Sequence, residues 1–199
     1  MAEFPETRDS LIVQVKDPSN RTAWEEFAEV YRPIIYRIAI TRGMQEADAQ
    51  DLAQQVLMAV AAAIGRWERN DEGTRFRNWL SRITRNAIVK ALTRRPKDQA
   101  VGGMLSLDLL DESRDADPET TELIALEYRR ELYLRASAIV RRDVNPETWQ
   151  AFEMTVLDSV SIEDAATRLK KSMGTVYAAR SRVMLRLREA IRDLEESTQ

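Results

Sequence analysis

Ser161-Ile-Glu-Asp-Ala-Ala-Thr-Arg-Leu-Lys-Lys-Ser-Met-Gly-Thr-Val-Tyr-Ala-Ala-Arg-Ser-Arg-Val183 reads as two short helices around a tight turn. Ile162, Ala165, Ala166 and Leu169 fall at the spacing of one apolar helical stripe. Ser161 with Asp164 three residues on has the form of a capping box. Lys170 and Lys171 close the first helix, and Ser172 can cap the second. Val176, Ala179, Val183, Leu187 and Ile191 give a second stripe, which leaves Tyr177, Ala178, Ser181 and Arg182 facing outward. A short bracing helix followed by one with a polar, basic outer face is the pattern of a helix-turn-helix, whose second helix enters the major groove of DNA.

Composition agrees with a helical protein. The 199 residues are rich in Ala, Leu, Arg and Glu and hold 6 Gly and 6 Pro, so the expected fold class is all-α, in two small domains. Cys and His are both absent. Thiolate chemistry, disulfides, and the commonest general base and metal ligand are thereby excluded. No cofactor is expected, and no enzymatic activity. No apolar run reaches the roughly 20 residues of a membrane span. The first residues, Met-Ala-Glu-Phe-Pro-Glu, do not have the form of a signal peptide. The expectation is a cytoplasmic protein without membrane insertion.

The net charge of -3 argues against a nucleic-acid partner until its distribution is read. Arg75, Arg77, Arg82, Arg85, Lys90, Arg94, Arg95 and Lys97 form a stretch without an acid. Residues 168–192 carry eight bases against Glu189 alone. Between them, residues 108–122 hold seven acids and one base. Two basic blocks on either side of an acidic one suggest two nucleic-acid contacts on separate units. Each block alone is equally consistent with a solvated helix face.

The boundaries follow from these blocks. A first domain is expected over residues 7–95, a linker over 96–117 and a second domain over 118–195. In the first, Trp24, Phe27, Tyr31, Ile34, Ile35 and Ile38 suit a buried stripe that Pro33 should kink or interrupt, and Gly43 should end the helix. A helix from about Glu46 turns Leu52, Val56, Ala59, Val60, Ala63 and Trp67 inward, with Asp48, Asp51, Gln55 and Met58 outward. Glu68–Thr74 is a polar turn. Phe76, Trp79, Leu80, Ile83, Ile88 and Leu92 mark a third helix. The linker contains an apolar cluster, Met104, Leu105, Leu107, Leu109 and Leu110, which suits a short docked helix or a partner-binding segment. Asp117-Pro118-Glu119 starts a long helix reaching about Arg142, and Asn145-Pro146-Glu147 starts another with Trp149, Phe152 and Val156 inward.

Three stretches together resemble one family. Asp48-Ala-Gln-Asp-Leu-Ala-Gln-Gln-Val-Leu57, Phe76-Arg-Asn-Trp-Leu-Ser-Arg-Ile-Thr-Arg-Asn-Ala-Ile-Val-Lys90, and Ile162 to Arg182 are similar, in order and spacing, to motifs of bacterial sigma factors of the extracytoplasmic-function (ECF) group. The resemblance implies a two-domain initiation factor that binds core RNA polymerase and promoter DNA and helps to open it. It implies that Asp48, Asp51, Gln55 and Met58 meet a basic coiled coil of the polymerase clamp. The family pattern has an acid where Gln55 stands. It implies that Asn86 reads an extruded base of the -10 element, although Asn86 alone is equally suited to capping. Arg82, Arg85, Lys90, Arg94 and Arg95 would hold phosphates or the exposed strand. In the second domain Tyr177, Ala178, Ser181 and Arg182 would face the -35 element, with Arg182 on a base. Lys170, Lys171, Ser172, Thr175 and Arg180 would touch phosphate. Many members have a basic residue and a Ser where Tyr177 and Ala178 stand, so the promoter sequence does not carry over. Many are also paired with an anti-sigma factor, a partner these residues neither require nor exclude. Two rival readings are a helix-turn-helix regulator acting without polymerase and an enzyme holding a metal on Asp48 and Asp51. The second has no third ligand in view.

Overall fold

The structure, a computed structural model, describes residues 9–68, 76–93 and 118–196. Every regular element among them is helical: α1 Asp9–Gln14, α2 Arg21–Thr41, α3 Glu46–Ala63, α4 Phe76–Thr93, α5 Pro118–Asp143, α6 Pro146–Phe152, α7 Ile162–Leu169 and α8 Met173–Glu196. The Glu68–Thr74 turn and the linker, including Met104–Leu110, lie largely or wholly outside the described residues. The chain forms two compact units, the first reaching Glu131 and the second beginning at Leu132. The division therefore falls inside α5, whereas the sequence reading draws it before residue 118.

In the first unit α2 packs on α3, and α3 on α4. Phe27, Tyr31, Ile34, Ile35 and Ile38 of α2 are buried, as are Leu52, Val56, Ala59 and Val60 of α3. Phe76 meets Phe27, Tyr31, Trp67 and Trp79 with ring centroids 5.7–5.8 Å apart. The expected break at Pro33 does not occur, since α2 runs through it. A helix-interior proline costs about 3 kcal/mol. Each fully buried Ile or Phe beside it returns about 1.5–3 kcal/mol, so packing wins. Trp67 follows a 3-10 turn, Ile64–Arg66, and is half-buried instead of ending an α-helical stripe. Leu92, expected inward, is largely exposed at the end of α4.

Asn20 caps α2 by accepting from Ala23 N–H at 3.1 Å. At the other end Met44 N–H reaches Ala39 O at 3.1 Å and Gly43 N–H reaches Ile40 O at 2.9 Å. That is a Schellman motif, with Gly43 at φ +85°. A Cβ at Gly43 would meet no neighbour, so the need for glycine is purely conformational. Gly43→Ala is expected to destabilise the chain by about 1–2 kcal/mol, the cost of a left-handed L-residue, with a matching fall in the urea midpoint.

Residues 118–131 of α5 belong to the first unit by their contacts. Arg37 donates to the carboxylates of Glu127 and Glu131, the latter at 3.1 Å. Arg42 pairs with Glu119 at 3.2 Å. The Ser81 and Thr121 hydroxyls are 2.8 Å apart, and the Arg77 guanidinium lies 4.6 Å from the centre of the Tyr128 ring.

The second unit holds two small apolar clusters. Ala136, Val140 and Val144 of α5 and the loop after it meet Trp149, Phe152, Val183 and Leu187. Ala151, Ala165, Ala166, Val176 and Ala179 form the other, between α6, α7 and α8. Asn145 caps α6 by accepting from Glu147 N–H at 2.9 Å. A π-helical turn, Glu153–Leu157, then ends the element, and Ser159 at φ 55° leads into α7.

Candidate nucleic-acid and partner interfaces

The turn between α7 and α8 is built from the residues that sequence singles out. Ser161 accepts from Asp164 N–H at 3.1 Å, and its hydroxyl donates to the Asp164 carboxylate at 2.7 Å. Lys170 takes the left-handed conformation at φ 54°. Lys171 N–H then closes onto Ala166 O at 3.0 Å and Lys170 N–H onto Thr167 O at 3.2 Å, a second Schellman motif. Ser172 accepts from Thr175 N–H at 3.1 Å and starts α8. Val176, Ala179, Val183 and Leu187 are buried, which orients the helix. Tyr177, Ala178, Arg180, Ser181 and Arg182 are all exposed.

The charges of this motif are mostly uncommitted. Arg168, Lys170, Arg180, Arg182 and Arg188 are exposed and have no ion-pair partner among the described residues. Lys171 differs, since its ammonium is 2.8 Å from the Glu147 carboxylate. A cavity of about 300 Å³ opens beside that pair and is lined by Glu147, Gln150, Arg168, Lys171, Thr175 and Val176. Exposed ion pairs hold by about 0–1 kcal/mol, so a phosphate can take Lys171 from Glu147 at small cost.

Lysine in the left-handed region carries strain that glycine does not. Lys170→Gly is therefore expected to leave the second unit as stable or up to about 1 kcal/mol more stable. If that cation faces phosphate, the same variant weakens duplex binding and lowers the slope of log K against log salt by about one. Thermal melts and a salt titration check both halves.

In the first unit the α3 row is outward. Asp48 and Asp51 are exposed, Gln55 is half-buried and Met58 is 62% exposed. Asp48 lies in the first turn of α3, where no side chain caps the helix, so its charge also suits the helix dipole. The α4 residues are less uniform. Arg82 is half-exposed with no partner among the described residues, while Arg85 and Lys90, also half-exposed, have interactions within the protein. Asn86 is 5% exposed. It continues the buried line of Trp79 and Ile83 by the i, i+4, i+7 spacing, so its amide does not present itself to solvent. Arg94 and Arg95 lie outside the described residues. Sequence reasoning passed over Met173, which is 48% exposed one turn before Tyr177. The signal was present: residues four apart share a helix face.

No group of three or more His, Cys, Asp or Glu able to hold a metal occurs among the described residues. No helix there is long and apolar enough to cross a membrane.

Residues 27–97, spanning α2 to α4, match the family model for Sigma-70 region 2. The matched segment lies wholly within the first unit. The chain is also 27% identical over 180 residues to the ECF RNA polymerase sigma factor SigE of Mycolicibacterium smegmatis, which covers 89% of this chain and 63% of that relative. The likeness to an ECF sigma factor thus runs over most of the sequence and includes the region 2 segment. The chain spans less than two thirds of that relative's length. No solved structure matches.

Proposed function

We propose that this chain, acting in the cytoplasm, binds core RNA polymerase, directs it to a class of promoters and helps to open the DNA, without catalytic chemistry of its own. The observation that carries the reading is the Sigma-70 region 2 match across α2 to α4. Asp48, Asp51 and Met58 supply an acidic and adaptable surface for a basic partner on the polymerase. Arg82 and its neighbours on α4 hold the backbone of the downstream, melted element. In the second unit α8 lies in the major groove of the upstream element. There Arg182 contacts a base edge, and Lys170, Lys171, Ser172, Thr175 and Arg180 fix the register on phosphates.

Asn86 remains the residue proposed to take an extruded base, because an amide both donates and accepts along a base edge. Its burial adds a condition: capture of the melted strand is accompanied by opening of the surface around α4.

The test mixes the full chain with bacterial core polymerase on a library of genomic promoter fragments. Defined transcripts that appear only with both proteins support the reading. Tight operator binding by the chain alone, with no transcripts when polymerase is added, favours a helix-turn-helix regulator instead.

A further inference from the structure

The exposed side of α8 combines two surfaces of different character. Met173 and Tyr177 are 48% and 54% exposed and sit one turn apart on the same side of the helix. Tyr177 makes no hydrogen bond or ring contact among the described residues. The same helix-turn-helix carries the exposed, uncommitted cations Arg168, Lys170, Arg180 and Arg182. An apolar protein partner covering the pair would also bury these cations unpaired, which is costly. A polyanion that itself carries small apolar groups suits both surfaces. Duplex DNA is such a polymer: its phosphates meet the cations, and the thymine C5-methyl groups project into the major groove. RNA offers neither an accessible major groove nor the methyl group on its uracil.

We infer that Met173 and Tyr177 read thymine methyl groups, so that the second unit selects an upstream element with thymine on one side of α8. At about 100° per residue, Tyr177 and Arg182 flank the outward line of the helix from opposite sides. The element selected carries thymine on the Tyr177 side and, where Arg182 makes its bidentate contact, guanine on the other. This inference rests on the proposal that the second unit binds duplex DNA.

The experiment uses the full chain with core polymerase and a promoter library randomised in the upstream element. The selected duplex is then made with deoxyuridine in place of each thymidine, which removes only the methyl group. For the unaltered chain, binding is expected to weaken about four-fold for each methyl that is read, the effect of exposing one methyl-sized group. Tyr177→Phe keeps that penalty, and so does Arg182→Ala. Tyr177→Ser combined with Met173→Ser removes it, in a chain whose melting temperature is unchanged because both side chains are exposed. Equal binding of thymine and uracil duplexes by the unaltered chain overturns this inference and leaves the proposed function standing. So does a penalty that survives the double serine variant. If no duplex is bound, with polymerase or without, the inference and the DNA-binding proposal fall together.

Discussion

Arg182→Ala is expected to weaken binding of the polymerase-bound chain to its selected upstream duplex by about 10- to 100-fold, the cost of losing one bidentate base contact. Arg182 is exposed on α8 and has no partner among the described residues, so the substitution leaves no buried group unsatisfied and the fold intact. The loss should be specific to sequence. In a competition against variants of the element, base preference at one position flattens while the others hold. Arg180→Ala serves as the contrast. It is exposed on the same helix but proposed to face phosphate, so it should weaken all duplexes alike and lower the salt slope by about one. A uniform loss for Arg182→Ala, with no change in base preference, would remove it from the base-reading set.

The largest expected effect on stability is at Phe152. Its side chain has no exposed surface and packs in one cluster with Trp149, Val183 and Leu187, with ring centroids 5.3 Å apart between Phe152 and Trp149. Phe152→Ala removes a ring from a core with no spare contacts, which costs about 3–5 kcal/mol. A unit of this size has little more than that in total stability. The variant should therefore be largely unfolded from Leu132 onward, and α8 would lose the platform that aims it. Trp149 is the sole tryptophan of that unit, the other three being Trp24, Trp67 and Trp79. Its fluorescence reports the loss directly in a urea titration. Phe152→Leu, which keeps most of the volume, should fall well between the two. Wild-type-like melting of Phe152→Ala would contradict the packing described here.

Local rules carry furthest where a helix has one clear face. The stripe Val176, Ala179, Val183, Leu187 is legible because its spacing is regular and its outer residues are polar. The caps Asn145, Ser161 and Ser172 are legible because a short oxygen-bearing side chain stands just before each apolar run. Two features are not local. The pairing of Arg37 with Glu127 and Glu131 joins residues 90 and 94 apart in sequence. Glu127 and Glu131, expected in the second domain, therefore belong to the first unit. Pro33 shows the other limit, since the packing that carries its helix past it includes α3, which is distant in sequence. Asn86 lies between the two cases. Its spacing from Trp79 and Ile83 places it in the core line, while its polar amide alone points to a surface role. Summed charge along a block does not distinguish Arg77, which lies against Tyr128, from Arg182, which stands uncommitted.

Footprinting of a selected promoter with the chain alone, core polymerase alone and both together tests the central claim most directly. The account predicts protection of an upstream duplex segment, with permanganate-reactive thymines further downstream, only when both proteins are present. Protection of a single site by the chain alone, unchanged by polymerase and without strand opening, would contradict it.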